Sequence, residues 1–323
     1  MEQASTGDTV RVLAIGRYDR IDCKTFEVYG TAKVTEDVFA DRASIYGAAS
    51  VGGDLGADRL SVGGSVKIGG GASVTEATLD GATSVGGNLD GHVIGGSGAT
   101  RIGGSLVAGR VTLDGAVKVG QFTEVTELGV RGAGSFGDVN ADVFAVEGGL
   151  VAGSVAAHEF ELVIEGDSEA DRIDGDDIVV ARSPGNVSFG GASSDGKLDE
   201  LFDDGAGGLL NGGLERLFGD GFDRLFDEEL DERFDREDPV FEVGTVTGES
   251  VELDCTRAET VVGERVELGA DTEVEIVYTD DLDAHEDARV DEVRAYDEYE
   301  GDGEESDEGS EGPDEESDEA GEP

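Results

Sequence analysis

Three histidines, two cysteines and three glycine-rich runs are the places in this 323-residue chain from which chemistry could be built. Gly191-Ala-Ser-Ser-Asp-Gly196-Lys197 matches the first part of a phosphate-binding loop, in which backbone amides and a lysine cradle nucleotide phosphates. The Ser or Thr that would hold magnesium after the lysine is Leu198 instead. Gly132-Ala-Gly134-Ser-Phe-Gly137 has the letters of a dinucleotide fingerprint, but its outer glycines belong to a repeat that already explains them. Gly95-Gly-Ser-Gly-Ala-Thr100 resembles the start of a calcium-binding nonapeptide, with Thr100 where the aspartate belongs. His92, His158 and His285 are isolated from one another, whereas acyl transfer on a β-helix needs a catalytic histidine and zinc needs a histidine cluster. Cys23 and Cys255 give neither a disulfide framework nor a metal-ligand spacing. Asn186-Val-Ser188 is a glycosylation sequon that has meaning only in an exported protein. The expectation is a protein that is not an enzyme, with no catalytic residue, no cofactor and no metal site.

The charge is lopsided. Seventy-six acidic residues oppose 23 basic ones, for a formal net charge of −53. So negative a surface argues against nucleic acid, whose binding requires cations that displace counterions. No apolar run approaches the 18 or so residues of a membrane span, and no basic-then-apolar signal opens the sequence, so a cytoplasmic location is expected. Residues 297–323 hold 15 acidic and no basic residues and are expected to be a disordered tail. Without them the first 296 residues still carry −38, which an ordinary cytoplasm would leave self-repelling. Molar salt shortens the Debye length to about 3 Å and removes most of that penalty, which points to a salt-accumulating halophile.

The elements come from a repeat. Gly30, Gly47, Gly64, Gly81, Gly98, Gly115, Gly132, Gly149 and Gly166 recur with one constant period of 17, and Gly52, Gly69, Gly86, Gly103, Gly120 and Gly137 form a second column. Apolar residues keep the same step: Val34, Val51, Ile68, Val85, Ile102, Val119 and Phe136 in one column, and Phe26, Ala43, Leu60, Ala77, Ile94, Val111 and Leu128 in another. Within one repeat, Leu60-Ser-Val62, Val66-Lys-Ile68 and Ala72-Ser-Val74 alternate with period two, which turns the first and third residue of each triplet to one side. Glycines between the triplets supply the positive φ of tight corners. Three short strands and three corners per repeat describe an all-β, parallel, triangular β-helix (a solenoid). Its regular coils run over 26–161, within a β-helix core of 1–182. Register weakens at Asn140 and Asp142, where Val139 and Val143 are expected to replace the inward pair. Cys23 and Cys255 are expected as core thiols.

Residues 183–238 read as a linker followed by an amphipathic insert over 198–236. Its apolar stripe, with Leu214, Leu217, Phe218, Phe222, Leu225 and Phe226, follows helical spacing. The stripe packs on the rod, covers an open end, or forms a partner or membrane surface. Alternation returns over 239–296 in Val251-Glu-Leu253, Val266-Glu-Leu268 and Val274-Glu-Ile276, a second β segment that continues the β-helix. On the outside, Lys33, Lys67, Arg101 and Lys118 share one repeat position, either balancing nearby carboxylates or forming a lateral contact.

A solenoid leaves unpaired backbone groups on its two terminal coils, and identical contacts that do not close build a filament. The phrases Val51-Gly-Gly-Asp-Leu55, Val85-Gly-Gly-Asn-Leu89 and Ile102-Gly-Gly-Ser-Leu106 in a glycine-punctuated short-coil β-helix resemble the bactofilins, the polymer-forming cytoskeletal proteins. The acidic body is similar to their halophilic archaeal, halofilin-type members. The resemblance covers about 26–182 and, more loosely, 240–278. It implies a right-handed β-helix, filaments formed without nucleotide, self-association with other cytoskeletal proteins and the inner face of the membrane as further contacts, and a role in cell shape. The insert and long tail depart from that pattern. The alternatives are a capping or adaptor protein of such filaments and a hexapeptide-type acyltransferase, although hexapeptide coils are one residue longer than the repeat found in this chain.

Overall fold

A computed structural model of the chain describes residues 5–182 and 239–299. The expected amphipathic insert and most of the acidic tail lie outside these residues; Asp297 and Glu298, expected in the tail, close a short 3-10 turn at Tyr296–Glu298 that belongs to the rod.

Every strand among the described residues joins a single parallel sheet wound into a β-solenoid of about 14 coils with a 17-residue spacing. The triplets read from sequence are its three faces. Leu60, Val62, Val66, Ile68, Ala72 and Val74 are all buried, while the residues between them point outward. Two of the three faces share one strand. Ile21–Val28 and its successors bend where two consecutive residues, Lys24 and Thr25 in the first, both face out. The third face is a shorter strand, Thr31–Val34 in that coil. All members of the two apolar columns are buried, from Phe26 at 0% exposure to Ala77 at 6%.

Neighbouring coils keep the regular offset from Ile21↔Val38 to Leu106↔Thr123. The exceptions are informative. Thr123 lies against Val139, one residue short of that offset, and Val151 lies against Glu169, one residue beyond it. The two deviations cancel, so Gly166 keeps the nominal period although Gly149 has left the column; Gly148 stacks on Gly132 in its place. Val139 is buried as expected, but its inward companion is Ala141, not Val143, which pairs outside with Glu127. Phe136, Phe144 and Phe160 fill the interior where the coil length changes, edge to face at 5.7 and 5.6 Å.

Beyond residue 238 the same solenoid resumes. Ser168 lies against Phe241 and Asp177 against Ser250. With residues 183–238 set aside, each of these steps is one ordinary coil. The following coils shorten: Phe241 pairs with Thr256, two residues short of the regular offset, and Glu273 pairs with Arg289, one short. The first of these is the tightest triangular coil among the described residues, and Cys255 (φ 50°) turns one of its corners.

Candidate assembly surfaces

The groups that could do chemistry are dispersed by the fold. His92 is exposed, His158 sits 2.9 Å from Asp176, and His285 lies 3.5 Å from Asp287. The Asp176 hydrogen bond and charge raise the His158 pKa. Cys23 and Cys255 are buried, and burial pushes the Cys255 thiol up to about 11, away from reactive thiolate. Among the described residues no group of three or more His, Cys, Asp or Glu could hold a metal ion. Thr100 is buried, and Gly132 stacks under the carbonyl of Gly115, so neither glycine run forms an open ligand loop. The phosphate-loop-like run at 191–197 and the stripe of Leu214, Leu217, Phe218, Phe222, Leu225 and Phe226 lie outside the described residues.

What the fold does assemble is three surfaces. The first is a corner. In each Val-Gly-Gly-x-Leu phrase, and at Asp37 in the coil before them, the fourth residue reaches to the next coil. Asp37 Oδ1 accepts a hydrogen bond from the Asp54 amide at 3.0 Å, Asp54 Oδ1 from the Gly71 amide at 2.8 Å, and Asn88 Oδ1 from the Ser105 amide at 3.0 Å. Glycines beside it are needed for space rather than for φ. A Cβ on Gly69 would sit 2.5 Å from the Gly52 carbonyl oxygen, and one on Gly86 2.4 Å from that of Gly69. Gly103, Gly120 and Gly137 stack in the same way. The ladder is visible in sequence only as a variable letter: Asp and Asn accept from the next coil's amide, whereas the Ser105 hydroxyl donates to Gln121 Oε1 at 3.3 Å.

The second surface is the outside of the third face. Register carries Arg17 onto Lys33, Ser50, Lys67, Ser84, Arg101, Lys118 and Ser135 in successive coils. That stretch has cations and serines and no carboxylate. Arg17 escapes a reading by period because its coil is one residue short. The same column then runs Val151, Glu169, Glu242, Arg257, Glu273 and Arg289. Its acidic half lines a groove of about 640 Å³ together with Asp171, Glu259, Glu275 and Asp291. Arg257 bridges its neighbours, 3.4 Å from Glu242 and 3.6 Å from Glu273.

The two ends form the third. Ser5–Val12 and Ile15–Tyr18 pair on one side only among the described residues, as do Asp281–Ala284 and Arg289–Arg294 at the other end. The first coil exposes Leu13 at 72% and Ile15 at 80%, and carries Arg11, Arg17 and Arg20 against Asp8 and Asp19. The last coil exposes Val293 at 53% and, from Asp281 to Arg294, carries six acidic residues against Arg289 and Arg294. No helix among the described residues is long and apolar enough to cross a membrane. A comparison with known protein families, curated proteins and solved structures finds no match.

Proposed function

We propose that the protein is a structural scaffold that stacks end to end without nucleotide, a cytoskeletal, bactofilin-like role contributing to cell shape. The observation that carries this reading is the pair of unlike ends. An apolar, weakly basic first coil faces the same geometry as an acidic last coil, and a head-to-tail contact between different patches on one chain does not close on itself. Sheet edges left unpaired offer the backbone partners for such stacking. The acidic outside keeps rods apart sideways wherever its charges are alike. Contacts with other cytoskeletal proteins and the inner membrane face, with the stripe at Leu214–Phe226 as the adhesive element, belong to the same proposal. Within it the cation column is a lateral contact.

Negative-stain microscopy in molar KCl without nucleotide tests it. Long filaments are expected from the native chain, and only short particles from Leu13→Asp, which places a charge on a side chain that is already exposed. Compact trimers from the native chain would overturn the reading in favour of an acyltransferase-type assembly.

One feature favours the capping or adaptor alternative. The turn Tyr296–Glu298 packs on strands Thr256–Leu268 and Glu273–Tyr278, with Tyr299 5.1 Å from the Tyr278 ring and the Arg294 guanidinium donating to the Tyr278 hydroxyl at 2.9 Å. A chain end turned back onto the rod in this way would leave only the first coil to dock. Filament ends decorated once, with no growth from purified protein, would be its signature.

A further inference from the structure

We propose that the third face is a two-fold, antiparallel interface between two copies of this chain. The column along it is self-complementary in charge. Placing the two-fold axis between Ser135 and Val151 sets Glu169 of one copy against Lys118 of the other, Glu242 against Arg101, and Glu273 against Lys67. The two cations of the acidic half fall opposite serines: Arg257 meets Ser84 and Arg289 meets Ser50. Every carboxylate of the column thus has a cation facing it, and no cation faces a cation. A one-coil slip either way breaks this. With the axis through Val151, Arg257 meets Arg101 and Arg289 meets Lys67; with it through Ser135, Arg257 meets Lys67 and Arg289 meets Lys33. A parallel arrangement puts the cations of the first half against themselves. The charges therefore select one orientation and one register.

Shape agrees with charge. The same antiparallel axis sets the flanking acidic positions, Asp171, Glu259, Glu275 and Asp291, at the level of the corner glycines Gly120, Gly86, Gly69 and Gly52, which carry no side chain. Long lysine stems thus enter a groove of about 640 Å³. Twelve coils overlap from Ser50 to Arg289, about 58 Å of rod at about 4.8 Å per coil. Across a face about 13 Å wide this covers roughly 750 Å² per copy, close to the roughly 800 Å² per partner of a standard specific interface.

The test uses the full chain carrying Leu13→Asp, so that end-on stacking does not intrude. Equal amounts of light and ¹⁵N-labelled protein are mixed near physiological ionic strength, about 0.15 M KCl, and joined with a zero-length carbodiimide. Mixed-isotope Lys67–Glu273 and Lys118–Glu169 links are expected. Within one molecule Lys67 and Glu273 are nine coils apart, about 43 Å, so that link can form only between copies. In sedimentation velocity, Lys118→Glu should weaken the dimer roughly tenfold or more, and adding Glu169→Lys should restore it. A monomer under these conditions, a dimer indifferent to Lys118→Glu, or Lys67 links to residues 183–238 or 300–323 instead would each overturn the proposal. Filament growth by the native chain reads the ends alone, so the two ideas fail separately.

Discussion

Gly63 and Gly64 are neighbours in sequence and opposites in constraint. A Cβ on Gly63 meets nothing closer than the Tyr46 ring at 3.7 Å, whereas one on Gly64 would lie 2.1 Å from the Gly47 carbonyl oxygen. Gly64→Ala is expected to cost roughly 2–4 kcal/mol and Gly63→Ala to be near neutral, a contrast that thermal unfolding of the two variants resolves. The first glycine column is legible as a period, but the expectation that positive φ explains it holds only from Gly115 onward, at Gly115, Gly132 and Gly148. Earlier members are glycine because the coil above is too close, and spacing between coils is not written in a single repeat. The corner ladder gives a second test. Asp54→Ala removes the acceptor for the Gly71 amide and should lose about 1 kcal/mol, which Asp54→Asn should retain. Asp254 supplies a pH dependence. Burial, the largest cause, raises its carboxyl above the ordinary range, with no partner for Oδ1. The native state therefore holds a proton that the unfolded chain has released, and stability falls as pH rises from the ordinary carboxylate value through the raised one. Asp254→Asn removes that loss, so its melting temperature relative to native should be higher at mildly alkaline pH than in acid.

At the scale of the element, coil length is adjustable so long as three faces keep an inward pair. Regular coils, coils one or two residues shorter and a coil one residue longer stack in one sheet because each change falls at a corner, outside the buried pairs. This is why the repeat is readable over 26–161 and blurred at Asn140. A coil one residue short followed by one a residue long returns the sequence to phase, and the shift is exposed by pairing in space, such as Gly132 with Gly148. The same effect half hides the first coil: Ser5 sits one residue closer to its partner Ile21 than the regular step, out of phase with the columns. Excising residues 183–238 leaves a coil of regular length between Arg182 and Pro239. The shortened chain is expected to unfold in one cooperative transition within a few degrees of the native chain; two separate transitions would show that the segment contributes to the rod.

For the whole molecule, the interior columns are apolar and nearly all of the −53 lies outside them. Screening that charge should stabilise the rod, so its melting temperature is expected to climb steadily between about 0.1 and 2 M KCl as the Debye length falls from about 10 Å toward 3 Å and below. A flat response would remove the halophilic reading. The assembly surfaces are the least legible part. The column of Lys33, Lys67, Arg101 and Lys118 stands out by period, but its continuation into Glu169, Glu242 and Glu273 crosses a short coil, a long coil and the interruption at 183–238. No fixed spacing could connect the two halves; only pairing in three dimensions does.

The interruption itself has a geometric outcome. It leaves the solenoid at one corner, well along from the first coil, and each molecule contributes about 14 coils to any string of them. Rods laid head to tail would repeat the corner between Arg182 and Pro239 once in roughly 67 Å, like evenly set rungs on a pole. Whatever binds at that corner would be dealt out along such a string at a fixed interval set by nothing more than the number of coils in one chain.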